Sequence, residues 1–390
     1  MSAGPLSGLT VLDLSSVVLG PMAAQYLGDM GAEVIKVEPP EGDVTRAIGS
    51  KRSDKMGALF LSNNRNKRSI VLDLKEPTAQ AALRHISSRC DVLLHFIRTS
   101  AATRLGIDYD SLAATNPGLI YCHVKGFSDA GPYAGKPAYD DVVQALSGFA
   151  MLQTVVGGEP RYVPSIIADK ITAVHAAYAI VLALFHRLRT GQGQNVGVPM
   201  LETMVAFNAQ EHLGGYVFEP PIGAMGYEPV RRAMRRPFPT RDGFLCFMPY
   251  TDAHWRQVFE LTGRTDLAAD PTFVTMKGRQ ADIGRVWAEV GRIVAARSNA
   301  EWIALLDGTD IPFAILNDLE DLITDPHLGA IGFWQTIQHP TEGLLRLPSN
   351  PIEMSASPPS IRRLPPHLGE HTAEVLREFG CDEDTIARLS

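Results

Sequence analysis

Asp169 stands where a helical pattern begins, with Ile171, Val174, Tyr178, Val181, Leu182 and Phe185 recurring on one face before TGQGQ stops the run. A carboxylate at such a position suits a nucleophile, because the helix dipole keeps it ionised and it sits at an accessible end. Its ordinary alternative is to cap the helix by accepting bonds from backbone N–H groups. Tyr139 and Asp140, in PAYDDVVQA, form a second polar cluster ahead of a helix, again with capping as the ordinary alternative. NNRNKRS places Arg65, Lys67 and Arg68 before a strand, and Arg98 and Arg104 flank the loop after DVLLHF. If these five cations converge they form a rim for a ligand with several phosphates; otherwise they are a solvated charged surface. His95 and His123 fall at strand ends, as acid–base groups or as satisfied polar residues. Arg231, Arg232, Arg235, Arg236 and Arg241 would attract carboxylates, or simply lie exposed on a connecting segment.

Other chemistries lack their signatures. There is no G-x-S-x-G elbow and the histidines are dispersed along the chain, so neither a serine hydrolase nor a zinc enzyme is expected. Cysteines at 90, 122, 246 and 381 are scattered, without the close pairs of a zinc site or redox dithiol. The turn SSVVLGP could present free N–H groups at a helix start, yet only Gly20 and Gly28 are available where a dinucleotide fingerprint needs three close glycines. A net charge of −7 argues against a nucleic-acid scaffold. No run approaches the ~18 apolar residues of a membrane span, and the N-terminal segment lacks a secretory pattern, which predicts a cytoplasmic protein.

The elements that must position these residues follow a βαβ rhythm. LTVLDL, EVIKVE, SIVLDL, DVLLHF and LIYCHVKGF read as strands buried on both faces, separated by helical segments such as GPMAAQYLGDMG and one from about Thr78. The expectation is an α/β protein with a parallel sheet, and ligands at the carboxyl ends of its strands. At 390 residues the chain exceeds one compact core. The reading is a large domain over 1–213, a linker over 214–241, a smaller α+β domain over 242–328, and a return over 329–390 that completes the large domain. Within that return, the proline-rich stretch after Ser349 is extended along a surface and a final helix begins at Thr372.

Read in order, the segments resemble the class III coenzyme A transferase family, of the formyl-CoA transferase and carnitine CoA-transferase (CaiB/BaiF) type. The matching blocks are LTVLDL, GPMAAQYLGDMGAEVIKVEPPEGDVTR, NNRNKRSIVLDL, RLG at Arg104, VKGF at Lys125, PAYDDVVQALSG, ADKITAVHAAYAIVLALFHRLRTGQGQNV, TRDG and LGEHT. The resemblance implies a Rossmann-like large domain built from both chain ends, a smaller α+β domain, and an interlocked homodimer of ring-like subunits. It implies that Asp169 attacks the thioester of an acyl-CoA, giving an acyl-aspartyl anhydride and then aspartyl-CoA, which passes CoA to an acceptor carboxylic acid. Tyr139 and Asp140 would support it. The CoA nucleotide would lie on Val18, Leu19, Leu72, Lys75, Phe96, Arg98, Arg104 and Leu105. No tightly bound cofactor, metal, nucleic acid or membrane is implied; the acyl-CoA is a substrate.

The sequence departs from the family at several points. The loop after DVLLHF reads His95-Phe96-Ile97-Arg98-Thr99 where Asn-Phe-Arg-Pro-Gly is usual. Ser16 and Val18 replace polar residues of the oxalate-specific members, whose glycine-rich loop has no counterpart in MPYTDAHW, so oxalate is disfavoured. An α-methylacyl-CoA racemase would carry a histidine in a GHD-type segment, and here Ala138-Tyr139-Asp140 stands in its place. A non-catalytic CoA-binding role is the third reading, should Asp169 merely cap its helix.

Overall fold

A computed structural model describes residues 4–231 and 236–390. It contains two compact units, one of residues 1–210 with 331–390 and one of residues 211–330. The larger unit is built on a six-stranded parallel sheet: β1 (Thr10–Leu14), β2 (Glu33–Glu38), β3 (Lys67–Val71), β4 (Val92–His95), β5 (Ile120–Lys125) and β6 (Gln194–Pro199), in the order β3-β2-β1-β4-β5-β6. The chain builds outward in one direction from β1 and in the other from β4. Their carboxyl ends therefore flank the crevice where open α/β sheets bind ligands.

Alternate residues of each central strand feed two cores, which is why these segments look continuously apolar. Val11, Val34, Val92, Leu94, Ile120 and Cys122 pack on one face against the helix Leu19–Asp29 and the long helix Ile167–Thr190. Leu12, Leu14, Ile35, Val37, Leu93 and Tyr121 pack on the other against Leu83, Ile86, Val375 and Leu376.

The long helix forms where the sequence predicts it but buries a different face. Ala168, Thr172, Ala173, Ala176, Ile180, Ala183 and Leu184 turn inward, because small side chains let the helix lie close to the sheet and to its neighbouring helix. The bulky stripe faces outward: Val174, Tyr178, Val181, Leu182 and Phe185 are exposed, Phe185 by 56% and Leu188 by 82%. Contrary to the expectation from sequence, this helix is long and apolar enough to cross a bilayer. Only its alanine face packs on the sheet, while the bulky apolar stripe stays exposed.

The basic segment before β3 requires a larger correction. Arg65 and Lys67 are 2% and 0% exposed and bind Asp29 and Asp13, while Arg68 meets Glu33, Glu374 and Glu378. They are neither a phosphate rim nor a solvated face. The return segment shields them, with Asn66 N–H donating to the Arg363 carbonyl at 3.0 Å and His371 N–H to that of Ser69 at 2.9 Å. An antiparallel hairpin, Trp334–His339 with Gly343–Pro348, precedes that segment, and a second terminal helix, Glu383–Leu389, follows Thr372–Glu378.

In the smaller unit, Phe238–Pro239, Phe244–Phe247 and Phe313–Ile315 form an antiparallel sheet. Its core holds Leu245, Phe247, Trp255, Phe259, Val290 and Trp302. The stretch 214–241 thus supplies a strand. Arg232 and Arg235 lie outside the described residues; Arg236 is exposed and Arg241 pairs with Glu301.

Candidate active site

At the carboxyl edge of the sheet lies a cavity of about 880 Å³. Its walls come from the loops after β1 (Ser15 to Val17) and β4 (Phe96 to Ser100), from the end of β5 (His123 to Phe127), from Ala134 to Tyr139, and from Asp169. Gly126 permits this closeness, because a Cβ there would lie 2.3 Å from the Cβ of Ala138.

Asp169 is the third residue of the long helix, and it does not cap it. The N-cap residue is Ile166, which has no capping side chain. Asp140, arriving from the helix Asp140–Leu146, caps it instead. Its Oδ1 accepts the N–H of Ala168 at 2.7 Å and of Asp169 at 3.1 Å. Gln144 Nε2 donates to Asp140 Oδ2 at 2.6 Å, and Gln144 Oε1 accepts the Val163 N–H at 2.8 Å, which fixes the chain leading into the helix. The Asp169 carboxylate accepts no hydrogen bond among the described residues and lines the cavity. Burial, and then the Asp140 anion, push its pKa up to about 7. Dipole stabilisation, the expectation from sequence, is outweighed, since a charge taken out of water beside another of the same sign is disfavoured.

The wall after β1 is held by buried charges. Asp13 accepts the Ser15 N–H at 3.0 Å and the Ser15 hydroxyl, and Lys67 Nζ donates to it at 3.0 Å. Lys36 Nζ donates to the Ser15 carbonyl and to Asp43, both at 2.9 Å, and Asp43 accepts the Val17 N–H at 3.3 Å. Burial raises the Asp13 pKa, but Lys67 and Lys36 outweigh it and hold the carboxyl below its ordinary range. Val17 has a φ of 70°, a left-handed conformation that a β-branched residue adopts only under constraint. Sequence reasoning missed Asp13, Lys36 and Asp43. The signal was there: a charge within TVLDL or EVIKVE occupies a position that a doubly covered strand must bury.

His95 and His123 are register partners on β4 and β5, stacked with ring centroids 4.4 Å apart. His95 is fully buried and accepts the Ile97 N–H at Nδ1 (3.2 Å); burial and then His123 hold its pKa well below the ordinary range. His123 reaches the cavity, and burial and then Lys125 lower it to about 4. At neutral pH both are uncharged, and His123 is a weak base.

Of the residues expected around a nucleotide, Leu19, Phe96 and Arg98 line the cavity, with Arg98 exposed. Val18 lies behind it at the start of the first helix, and Leu72 and Leu105 pack into the core below the same edge. Lys75 and Arg104 are exposed outside the cavity wall. Lys125 and Lys136 also line it, two cations that their place in the sequence did not single out. Tyr139 is largely exposed at the rim.

The model of CoA-transferase family III matches residues 6–372. A succinate–glutarate CoA-transferase of Agrobacterium fabrum is 33% identical over 98% of this chain and 97% of its own length. A succinyl-CoA:glutarate CoA-transferase of Mus musculus is 29% identical over 100% of this chain and 89% of its own. The crystal structure of a CAIB/BAIF family protein from Brucella suis superposes with a TM-score of 0.85 at 30% identity, covering 97% of this chain and all of that one.

Proposed function

The chain belongs to family III of the CoA-transferases, and from that premise we propose that it moves CoA from an acyl-CoA to a free carboxylic acid with Asp169 as the nucleophile. One observation carries the reading: Asp140 does the capping, so Asp169 presents an unbonded carboxylate to the cavity. An Asp169 oxygen attacks the thioester carbon, and the C–S bond breaks to give an acyl-aspartyl anhydride and CoA thiolate. The thiolate attacks the aspartyl carbonyl, expels the donor acid as its carboxylate and leaves aspartyl-CoA. The acceptor carboxylate attacks that thioester, forming a second anhydride and freeing the thiolate again. Attack of the thiolate on the acceptor's carbonyl yields the new acyl-CoA and restores Asp169.

Around this centre, Leu19, Phe96 and Arg98 contact the CoA from the cavity wall, and Val18, Leu72, Lys75, Arg104 and Leu105 form the edge along which its nucleotide lies. Tyr139 and Asp140 support the nucleophile. Two relatives are named for succinate and glutarate, and Lys136 lines the cavity, where it would pair with a second carboxylate. Dicarboxylic acids are accordingly the first acceptors to test. The outward stripe on the long helix supports a homodimer, interlocked as the family resemblance implies, with a second copy covering that stripe.

Asp169→Ala is expected to abolish transfer between acyl-CoA and acid while the protein stays folded, and hydroxylamine or borohydride should mark Asp169 during turnover of the unmutated enzyme. Full turnover by the variant, or an unmarked Asp169 at full activity, would refute the assignment. A racemase-like proton transfer is the alternative, and it would exchange an α-proton with deuterated water when no acceptor acid is present. Tyr139 where a histidine is needed, and a His123 too weakly basic to substitute, favour transfer.

A further inference from the structure

Two carboxylates meet at the start of the long helix, and their roles divide. Asp140 Oδ1 accepts two N–H groups of the first turn, one of them from Asp169 itself, and its other oxygen is fixed by Gln144, a side chain 1% exposed. We infer that Asp140 is a positioning residue for the reaction, holding Asp169 through its backbone N–H and setting a second carboxylate beside the nucleophile. This rests on the reading of Asp169 as nucleophile.

The division has a chemical consequence in the anhydride. The thiolate can attack either carbonyl, and the departing carboxylate decides the outcome. Attack on the donor's carbonyl expels Asp169 and returns the starting thioester. Attack on the aspartyl carbonyl expels the donor acid and carries the reaction forward. Less basic carboxylates leave more readily. An ordinary carboxylic acid has a pKa of about 4.3, and Asp169 stands at about 7. Burial first and then Asp140 thereby make Asp169 the poorer leaving group, which favours aspartyl-CoA in the donor anhydride and, by the same preference, in the acceptor anhydride, so aspartyl-CoA is the intermediate that accumulates.

Among the described residues no other anion presses on Asp169 as Asp140 does. From β5 come the neutral His123 and Lys125, the latter paired with Asp129; Arg98 follows β4 and Lys136 lies in the Ala134–Tyr139 wall. Lys170, on the same helix, donates to Ser165 at 3.0 Å. Asp141, beside Asp140 in the first turn of its helix, is exposed. The first helix packs on the long one through Ala23, Ala24 and Leu27, and β6 presents no ionisable side chain.

The test is the pH dependence of transfer in full-length Asp140→Asn, with Asp140→Ser as the second variant should the first fail to fold. Both keep an oxygen acceptor for the helix N–H groups and remove the charge. In the unmutated enzyme, kcat/KM should rise with pH through about 7 as Asp169 ionises. In the variants the inflection should move to lower pH by about one unit or more, and less aspartyl-CoA should accumulate when the enzyme is incubated with acyl-CoA and no acceptor acid. A uniform loss at every pH with the inflection unmoved would mean that Asp140 only holds the helix, and an unchanged profile would remove any role; either overturns the inference. Hydroxylamine marking of Asp169 in the unmutated enzyme separates this from the underlying reading: a marked Asp169 with an unmoved inflection sinks the Asp140 inference alone, and an unmarked one sinks both.

Discussion

Replacing Asp169 with Asn should stabilise the protein above pH 7 at the expense of its activity. An aspartate in an unfolded chain titrates near 3.8, and in this fold burial and then Asp140 push Asp169 up to about 7. Between those values the folded protein holds a proton that the unfolded chain has already released. Stability therefore falls as pH rises through the window, and the full penalty is present only above about 7. A difference of that size corresponds to about 4 kcal/mol. Solvent entering from the cavity screens the carboxylate, which brings the expected value to about 2–4 kcal/mol. With about 2.1 cal/mol/K of unfolding entropy per residue, a chain of 390 residues loses about 0.8 kcal/mol per degree, so the melting midpoint should rise by about 2–5 °C. Thermal melts of both proteins at pH 8, 6.5 and 4.5 read this directly, at one protein concentration because the melting of any assembly depends on it. The gain should be largest at pH 8, smaller at 6.5 and about a quarter of its full size at 4.5. A variant that melts below the unmutated protein at pH 8, or a gain that ignores pH, would show that the fold does not hold Asp169 at a disadvantage.

Other expectations are more compact. Arg98→Ala should raise KM for acyl-CoA about tenfold or more with little change in kcat, the loss of one charge-assisted phosphate contact worth about 1.5–3 kcal/mol. Arg68→Gln, by contrast, should lower the melting temperature and leave that KM unchanged, because Arg68 is occupied by Glu33, Glu374 and Glu378; a raised KM would return it to the substrate site. Phe185→Glu combined with Leu188→Glu should convert a dimer to a monomer by light scattering, and an unchanged mass would mean that the exposed stripe is not the subunit contact.

Much of the fold was legible because its rules are local. Strands covered on both faces must be apolar throughout, and a helix must repeat its apolar positions every three to four residues, so the central strands and the long helix fall close to where periodicity puts them. The hairpin Trp334–His339 with Gly343–Pro348 was not legible, since no Asn-Gly or Asp-Gly turn marks it. Nor did periodicity say which face of the long helix is inward. A bulky stripe and an alanine stripe are both apolar, and the choice belongs to whatever lies beside them.

The site divides in the same way. Residue type and order along the chain determined that Asp169 starts a helix, that His95 and His123 end strands, and that the basic segment precedes β3. Only the tertiary structure decided that Asp140, 29 positions earlier, caps that helix and leaves Asp169 unbonded. It also decided that Arg65, Lys67 and Arg68 are consumed in buried pairs while Arg98 stays open to the cavity. The physical reason is that a side chain's character is written in its own atoms and its near neighbours along the chain. Whether it is bonded, desolvated or free depends on partners brought alongside by folding, and those partners can lie anywhere in the sequence.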